Sequence, residues 1–341
     1  MTTQKIDLLH WLLQYMGAQK QPVLVTGASG FIGAHVVNEL LKKGITTRAM
    51  MRDTSLKNLL PNSEILEVVY GDLFDLESLK NAVDGCEKVI HCAANLLVGK
   101  LDPQKDVIDT SVVGVENLCS VMENVKTIVH TSSIAAIRPT KFENNSVFTV
   151  SNWCEDASLK SNPYGFAKAE AERRIRKWAE NRNIRLITIH PSIVFGPIFH
   201  PRHLEGSMSY LKHYVSGPPF VLDININFVD VRDVALAHVN ALELGENKRR
   251  FLIHSSDMWM KEIGQILKLK KGGRWPTKRL PKFIAYFLAI FHPKLSIKQL
   301  KKSLGIKVSY DVGDSWEKLQ IKAYNPEDTI IDSINSILNH T

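Results

Sequence analysis

The valine-rich run Val23-Leu24-Val25-Thr26 passes directly into Gly27-Ala28-Ser29-Gly30-Phe31-Ile32-Gly33 and then into a helical pattern. Few arrangements accommodate a strand, a three-glycine turn and a helix in that order. Gly27 permits the tight turn, Gly30 lets the backbone come close to a bound group, and Gly33 lets helix and strand pack closely. The first helical turn then offers free N–H groups and the positive end of its dipole, which suits a pyrophosphate. The turn is therefore expected to bind a dinucleotide through Gly27, Ser29, Gly30, Phe31, Ile32 and Gly33.

Short β-favouring runs at 23–26, 46–51, 66–70, 88–92, 127–132 and 186–190 alternate with helical patterns at 33–43, 76–83, 111–124 and 164–181. That alternation predicts an α/β Rossmann-type fold, a doubly wound parallel sheet whose ligands lie beyond the carboxyl ends of its strands. After Pro191 the chain breaks into proline- and glycine-rich loop, with Phe195-Gly196-Pro197 and Ser216-Gly217-Pro218-Pro219 as turns. The expected organisation starts with a helical extension over 1–20 and a dinucleotide domain over 21–190, which regains a strand–helix unit and a strand at about 227–254. A smaller, partly interleaved substrate-binding cap comes from 191–226 and 255–341, with residues from 257 onward mostly helical.

The end of the second strand distinguishes the dinucleotides. A carboxylate there accepts the ribose hydroxyls of NAD, and an arginine pairs with the 2′-phosphate of NADP. This strand ends on Arg52-Asp53, with Lys57 close behind. Asp53 stands 20 residues past Gly33, the spacing of an NAD acid, but Arg52 comes first and Asp53 could equally cap the next turn. NADP is the expected cofactor and NAD the alternative. Asp72 and Leu73, after the third strand, suit an adenine, one through its carboxylate and the other through its N–H. Ala93 and Ala94 end the fourth strand with side chains small enough for a cofactor to lie across them, while His91 reads as an ordinary strand histidine.

Tyr164 and Lys168 are four residues apart in a helical pattern, so they share one face. A phenol ordinarily titrates near pH 10. A neighbouring ammonium and an oxidised nicotinamide both favour its anion, which is expected to bring Tyr164 into range for acid–base work. Thr131-Ser132-Ser133 ends the fifth strand on the same rim as the glycine turn. A serine there can donate a hydrogen bond to a carbonyl oxygen becoming an alkoxide, with Ser133 the first choice and Ser132 the alternate.

Composition narrows the remaining classes. With 44% hydrophobic and 23% charged residues the chain reads as globular. Cys86, Cys92, Cys119 and Cys154 form neither a metal-binding spacing nor a disulfide framework, so no metal is expected and a reducing, cytoplasmic setting is. The stretch 6–16 is interrupted by Asp7, His10 and Gln14 and reads as a docked amphipathic helix, and the run 283–291 is about half the length of a membrane span. That run is expected to form a cap helix buried on the core. Residues 248–307 hold 16 Lys/Arg against 2 Asp/Glu, although the whole chain carries only +8. Such a segment could touch a membrane surface, nucleic acid or an acidic substrate. No aromatic-interleaved motif accompanies it, so it reads as a solvated lysine-rich face with no nucleic-acid partner.

The glycine turn, Ser133, Tyr164 and Lys168, in this order and spacing, resemble the extended short-chain dehydrogenase/reductase family. His190-Pro191-Ser192-Ile193-Val194-Phe195-Gly196-Pro197 resembles that family's segment lining nicotinamide and substrate, which implies cofactor roles for Pro191, Ser192 and Val194. Asn227-Phe228-Val229-Asp230-Val231-Arg232-Asp233-Val234-Ala235 looks like a later family segment. Within the family the chain is most similar to dihydroflavonol 4-reductases, cinnamoyl-CoA reductases and aldehyde reductases, through 26–33, Arg48-Ala49-Met50-Met51-Arg52-Asp53 and Ser151-Asn152-Trp153. The resemblance implies reduction of a small-molecule aldehyde or ketone by NADPH, or the reverse oxidation of an alcohol, and a possible homodimer. It implies Tyr164 as acid/base, Ser133 as the residue orienting the oxygen, and Lys168 on the nicotinamide ribose. Ser111 stands where many relatives carry an asparagine. Ile134-Ala135-Ala136-Ile137 after Ser133 departs from nucleotide-sugar epimerases and dehydratases. The alternatives are a 3β-hydroxysteroid dehydrogenase-like enzyme with 283–291 as a lipid-facing lid, a nucleotide-sugar epimerase, and a dinucleotide-sensing or scaffolding protein without turnover.

Overall fold

The computed structural model describes residues 21–93, 108–109, 111–291 and 297–340. Ala94 and the expected extension over 1–20 lie outside them. The first half runs β1 (Val23–Thr26), α1 (Phe31–Lys42), β2 (Thr47–Met51), β3 (Leu66–Tyr70), α2 (Leu76–Val83), β4 (Lys88–His91), α3 (Gly114–Val121) and β5 (Thr127–Thr131). A short β6 (Ser146–Phe148) precedes α4 (Pro163–Asn181), β7 (Arg185–Pro191), β8 (Ile193–Phe195), α5 (Ser209–Ser216), β9 (Phe220–Val221) and β10 (Asn225–Asp230). Then follow α6 (Val231–Leu244), β11 (Arg250–Ile253), β12 (Ser256–Trp259), α7 (Met260–Lys271), β13 (Lys278–Arg279), α8 (Lys282–Phe291), α9 (Ile297–Ser303), β14 (Val308–Tyr310) and α10 (Pro326–His340).

Seven parallel strands form the main sheet in the order β11-β7-β5-β4-β1-β2-β3. The chain moves outward from β1 to β3, then crosses to β4 on the other side of β1, so the strand order reverses between β1 and β4. A crevice opens at such a switch point, beyond the carboxyl ends of the strands. The sheet's interior is built of side chains such as Leu24, Val25, Ile90, Ile128 and Val129, all fully buried, as a parallel sheet covered on both faces requires.

Helix starts follow local chemistry. Asp75 accepts from the N–H groups of Glu77 and Ser78 to cap α2, Asn162 accepts from Gly165 N to cap α4, and Asp230 accepts from Arg232 N to cap α6. Helix α1 is the exception. Its cap is Gly30, with no side-chain hydrogen bond and no acid in the first turn, so its leading N–H groups remain available to an anion.

The returning unit expected at 227–254 divides. Helix α6 packs on the main sheet's core and β11 joins that sheet beside β7. Strand β10 instead pairs with β8 in parallel and with β12 in antiparallel, in a separate three-stranded sheet. Its core, around Phe195, Phe228, Ile263, Ile330 and Ile334, draws on segments far apart in sequence. The part after 257 is less purely helical than expected, because β12, β13 and β14 pair with distant partners.

Helix α8 departs from the expectation of burial. Ala285 and Ala289 face the protein at 1% and 7% exposure, whereas Phe283, Phe287 and Ile290 stand 73%, 58% and 63% exposed. Ala285, Ala289 and Tyr286 pack against the protein, while the large apolar side chains of Phe283, Phe287 and Ile290 point out.

Candidate active site

The glycine turn lies against the end of β4. Gly27 has φ +68°, and a Cβ there would stand 2.7 Å from the Ala93 backbone. A Cβ on Gly33 would collide with the Gly27 carbonyl oxygen. Both positions therefore require glycine, for reasons the sequence pattern anticipated. Gly27, Ser29, Gly30, Arg52, Asp72, Leu73 and Ala93 together line a cavity of about 160 Å³ at the switch point. With the uncapped start of α1, this cradle fits the phosphate and adenosine portion of a dinucleotide. Phe31, Ile32 and Gly33 belong to α1, and Phe31 turns its ring against His35 and His203, which leaves its backbone for any ligand.

Asp53 is engaged elsewhere. Its carboxylate accepts from Ser55 N at 3.0 Å and Ser55 Oγ at 2.5 Å, capping the turn that follows β2. Those bonds hold the carboxyl below its ordinary value. Arg52 lines the cavity and Asp53 does not. Asp72 accepts from Phe74 N through Oδ1 at 2.9 Å, and Ala93 N donates to Thr26 Oγ1 at 3.3 Å. His91 meets the same Thr26 hydroxyl through Nδ1 at 2.7 Å, and burial lowers its pKa to about 3, so it is a neutral, bonded strand histidine.

A second arginine on this cavity, Arg202, was missed by reasoning from the sequence. It sits in the loop after β8, which carries no periodic signal. Three contacts fasten that loop over the glycine turn. His203 Nε2 donates to Ser29 O at 3.1 Å, His35 Nε2 on α1 donates to Pro197 O at 2.8 Å, and the His35 ring stacks on Phe199 at 4.2 Å.

Ser133, Tyr164 and Lys168 converge at the ends of β5 and α4, outside the cavity. Cys92 links the two places, since it lines the cavity and its thiol lies near Lys168. Ser133 caps a short turn by accepting from Ala135 N at 3.1 Å, and its hydroxyl lies close enough to the Tyr164 phenol to act on its titration. Burial pushes the Tyr164 phenol above its ordinary value of 10, and the nearby Ser133 hydroxyl opposes the rise. The lowering expected from the lysine is therefore not a property of the chain alone. Lys168 is buried and donates to Thr131 O at 3.2 Å; burial lowers its pKa to about 8, against the opposing influence of Cys92 and Glu172.

Ser132 faces the other way. It is buried, and its hydroxyl donates to Glu172 Oε2 at 2.7 Å. Glu172, one turn beyond Lys168 on α4, is fully buried and also accepts from His190 Nε2 at 2.7 Å, Arg176 Nε at 3.0 Å and Arg250 Nε at 2.9 Å. Burial alone would raise this carboxyl, but His190, Arg250 and Arg176 hold it well below the ordinary range. Pro191 and Val194 are buried in β7 and β8. Ser192 is buried too, with its hydroxyl 3.1 Å from His254 Nδ1 and its N–H on Ile253 O, so this side chain is committed to the protein. None of the three lines the cavity. Ser111 is buried at the turn leading into α3.

The chain belongs to the NAD dependent epimerase/dehydratase family, the extended short-chain dehydrogenase/reductases, whose pattern it matches over residues 23–253. Among characterised proteins it is 29% identical over 316 residues to the bifunctional dihydroflavonol 4-reductase/flavanone 4-reductase of Malus domestica, covering 88% of this chain and 89% of that one. It is 30% identical over 271 residues to cinnamoyl-CoA reductase 1 of Arabidopsis thaliana, covering 75% and 77%. Among solved structures, Gre2 from Candida albicans in complex with NADPH superposes with a TM-score of 0.77 at 25% identity, over 93% of this chain and 98% of that one.

Proposed function

We propose that this chain is an NADPH-dependent oxidoreductase that reduces an aldehyde or ketone to an alcohol. The observation that carries the reading is the convergence of Ser133, at the end of β5, with Tyr164 and the buried Lys168 one helical turn apart on α4, next to Cys92 on the cavity that holds the glycine turn. The reductases and the NADPH complex among its relatives support it.

When bound, the dinucleotide supplies the hydride that reaches the carbonyl carbon. Tyr164 gives its phenolic proton to the carbonyl oxygen as that oxygen gains electrons. Ser133 donates a hydrogen bond to the same oxygen and so stabilises charge where it develops. Lys168, held at the end of β5 by Thr131, places an ammonium beside the ribose and favours the tyrosinate left after proton transfer. The resting phenol sits above its ordinary pKa, so it enters reduction as an acid in its protonated form. Arg52 and Arg202 both line the cavity and would pair with a 2′-phosphate, which would favour NADPH.

Fluorescence titration with NADPH and NADH tests the cofactor assignment. The expected result is tighter NADPH binding, weakened about tenfold to a hundredfold in Arg52→Ala, as for a charge-assisted hydrogen bond, with NADH affinity little changed. Arg202→Ala acts in the same direction. Tighter NADH binding that ignores both substitutions defeats the NADPH assignment. A panel of aldehydes and ketones, followed by NADPH oxidation, then tests the reaction itself.

A further inference from the structure

Helix α8 is turned inside out for a helix docked on a protein. Phe283, Phe287 and Ile290 fall at spacings of four and three residues and so share one face, and that face is exposed. Leu288, on the flank of the helix, is exposed at 38%. The opposite face presents Ala285 and Ala289 to Leu300 and Leu304 of the following helix and loop. Single exposed apolar residues are ordinary, but three large ones on one face of a ten-residue helix form a patch of the kind that marks an interaction surface.

The charge around the patch identifies what fits it. Helix α8 contains no acid, and the β13 strand just ahead of it borders a groove lined by Lys261, Gln265, Lys268, Thr277, Lys278 and Arg279. Arg279 is paired with Asp223 at 3.1 Å. Among the described residues no carboxylate pairs with Lys261, Lys268 or Lys278. The groove is therefore a cluster of ammonium groups that no carboxylate of the described residues neutralises, suited to anionic headgroups. A helix of this length, about 15 Å, cannot cross a bilayer, and among the described residues no helix is long and apolar enough to do so. It can lie in the interface, with aromatic and aliphatic side chains among the acyl chains and lysines among the headgroups.

We propose that α8 and the adjoining lysine groove dock this protein onto an anionic phospholipid surface. The proposal is independent of the redox reading, because none of these residues lines the dinucleotide cavity or touches Ser133, Tyr164 or Lys168. Peripheral attachment brings the protein to substrates dissolved in or partitioned onto the membrane.

Sedimentation of the full chain with phosphatidylcholine vesicles, and with vesicles in which about a third of the lipid is phosphatidylserine, tests it. The wild type is expected to pellet with the anionic vesicles, to ignore the neutral ones, and to be released by salt. The bound fraction is expected to fall by about tenfold or more in Phe283→Ser/Ile290→Ser and in Lys261→Glu/Lys268→Glu. Unchanged NADPH titration and thermal midpoint show that both variants still fold. Failure to pellet with anionic vesicles overturns the proposal, as does equal pelleting by the variants or equal affinity for the two lipid mixtures. A dimer that the Phe283→Ser/Ile290→Ser variant dissolves, in a protein that ignores vesicles, hands the face to a second copy of the chain and overturns it too.

Discussion

Tyr164→Phe lowers kcat for carbonyl reduction by about a hundredfold to ten-thousandfold, the range of a lost general acid, while NADPH affinity stays within about twofold. The substitution removes one oxygen atom from a half-buried ring and leaves the cavity lined by Arg52 and Arg202 untouched. Single-turnover kinetics with saturating NADPH read the effect directly. A variant that retains wild-type turnover would move the acid to another group and sink the proposed role. The pH profile gives an independent check through Lys168. Its folded pKa is about 8, so the ammonium is present below that pH and lost above it. Reduction is therefore expected to fall as pH rises through about 8 in the wild type, and Lys168→Met is expected to be slow and flat across that window.

The second large effect concerns stability. Glu172→Ala leaves Arg176 and Arg250 without their shared carboxylate and strips Ser132 and His190 of an acceptor in a fully buried place. Removing one partner from a buried ionic cluster costs about 3–5 kcal/mol. Urea unfolding followed by circular dichroism should show the midpoint fall accordingly, and a loss below about 1 kcal/mol would mean the arginines re-solvate freely. The same carboxyl has a pH signature. Its folded pKa lies below the ordinary 4.5, so its contribution is complete above that value and is lost as pH falls toward the depressed one. Wild-type stability should therefore drop on acidification below about 4.5 more steeply than that of Glu172→Ala.

Wherever one segment carries its own reason, the sequence was readable. The six strands expected over 23–190 appear within a residue or two, because each is a compact β-branched run that needs no distant partner to be recognised. The glycine turn is equally local, and the steric reasons for Gly27 and Gly33 are visible in the backbone. Strands β9, β12, β13 and β14 carry two to four residues each, and what makes them strands is a partner up to 162 residues away. No local pattern encodes that pairing. Arg202 was unreadable for a similar reason, since its place beside Arg52 depends on His203 and His35 tying a loop down. Glu172 could have been found, because it extends the Tyr164–Lys168 stripe by one more turn, but its partners come from α4 itself and from the ends or middles of three strands. The α8 run illustrates a limit of composition, which shows how apolar a helix is and not which of its faces meets the protein.

Arg250 pairs with Glu172, yet it enters on β11, after the chain has left the main sheet, laid down β8 and β10 of the three-stranded sheet and come back. During synthesis the helix carrying Tyr164 and Lys168 therefore emerges from the ribosome some seventy residues ahead of the cation beneath it. A chain that ends before β11 still carries Ser132, Arg176 and His190 around Glu172 but lacks the Arg250 guanidinium. A fragment holding Ser133, Tyr164 and Lys168 but ending ahead of β11 would therefore lack one of the two guanidinium groups that hold the carboxylate behind them.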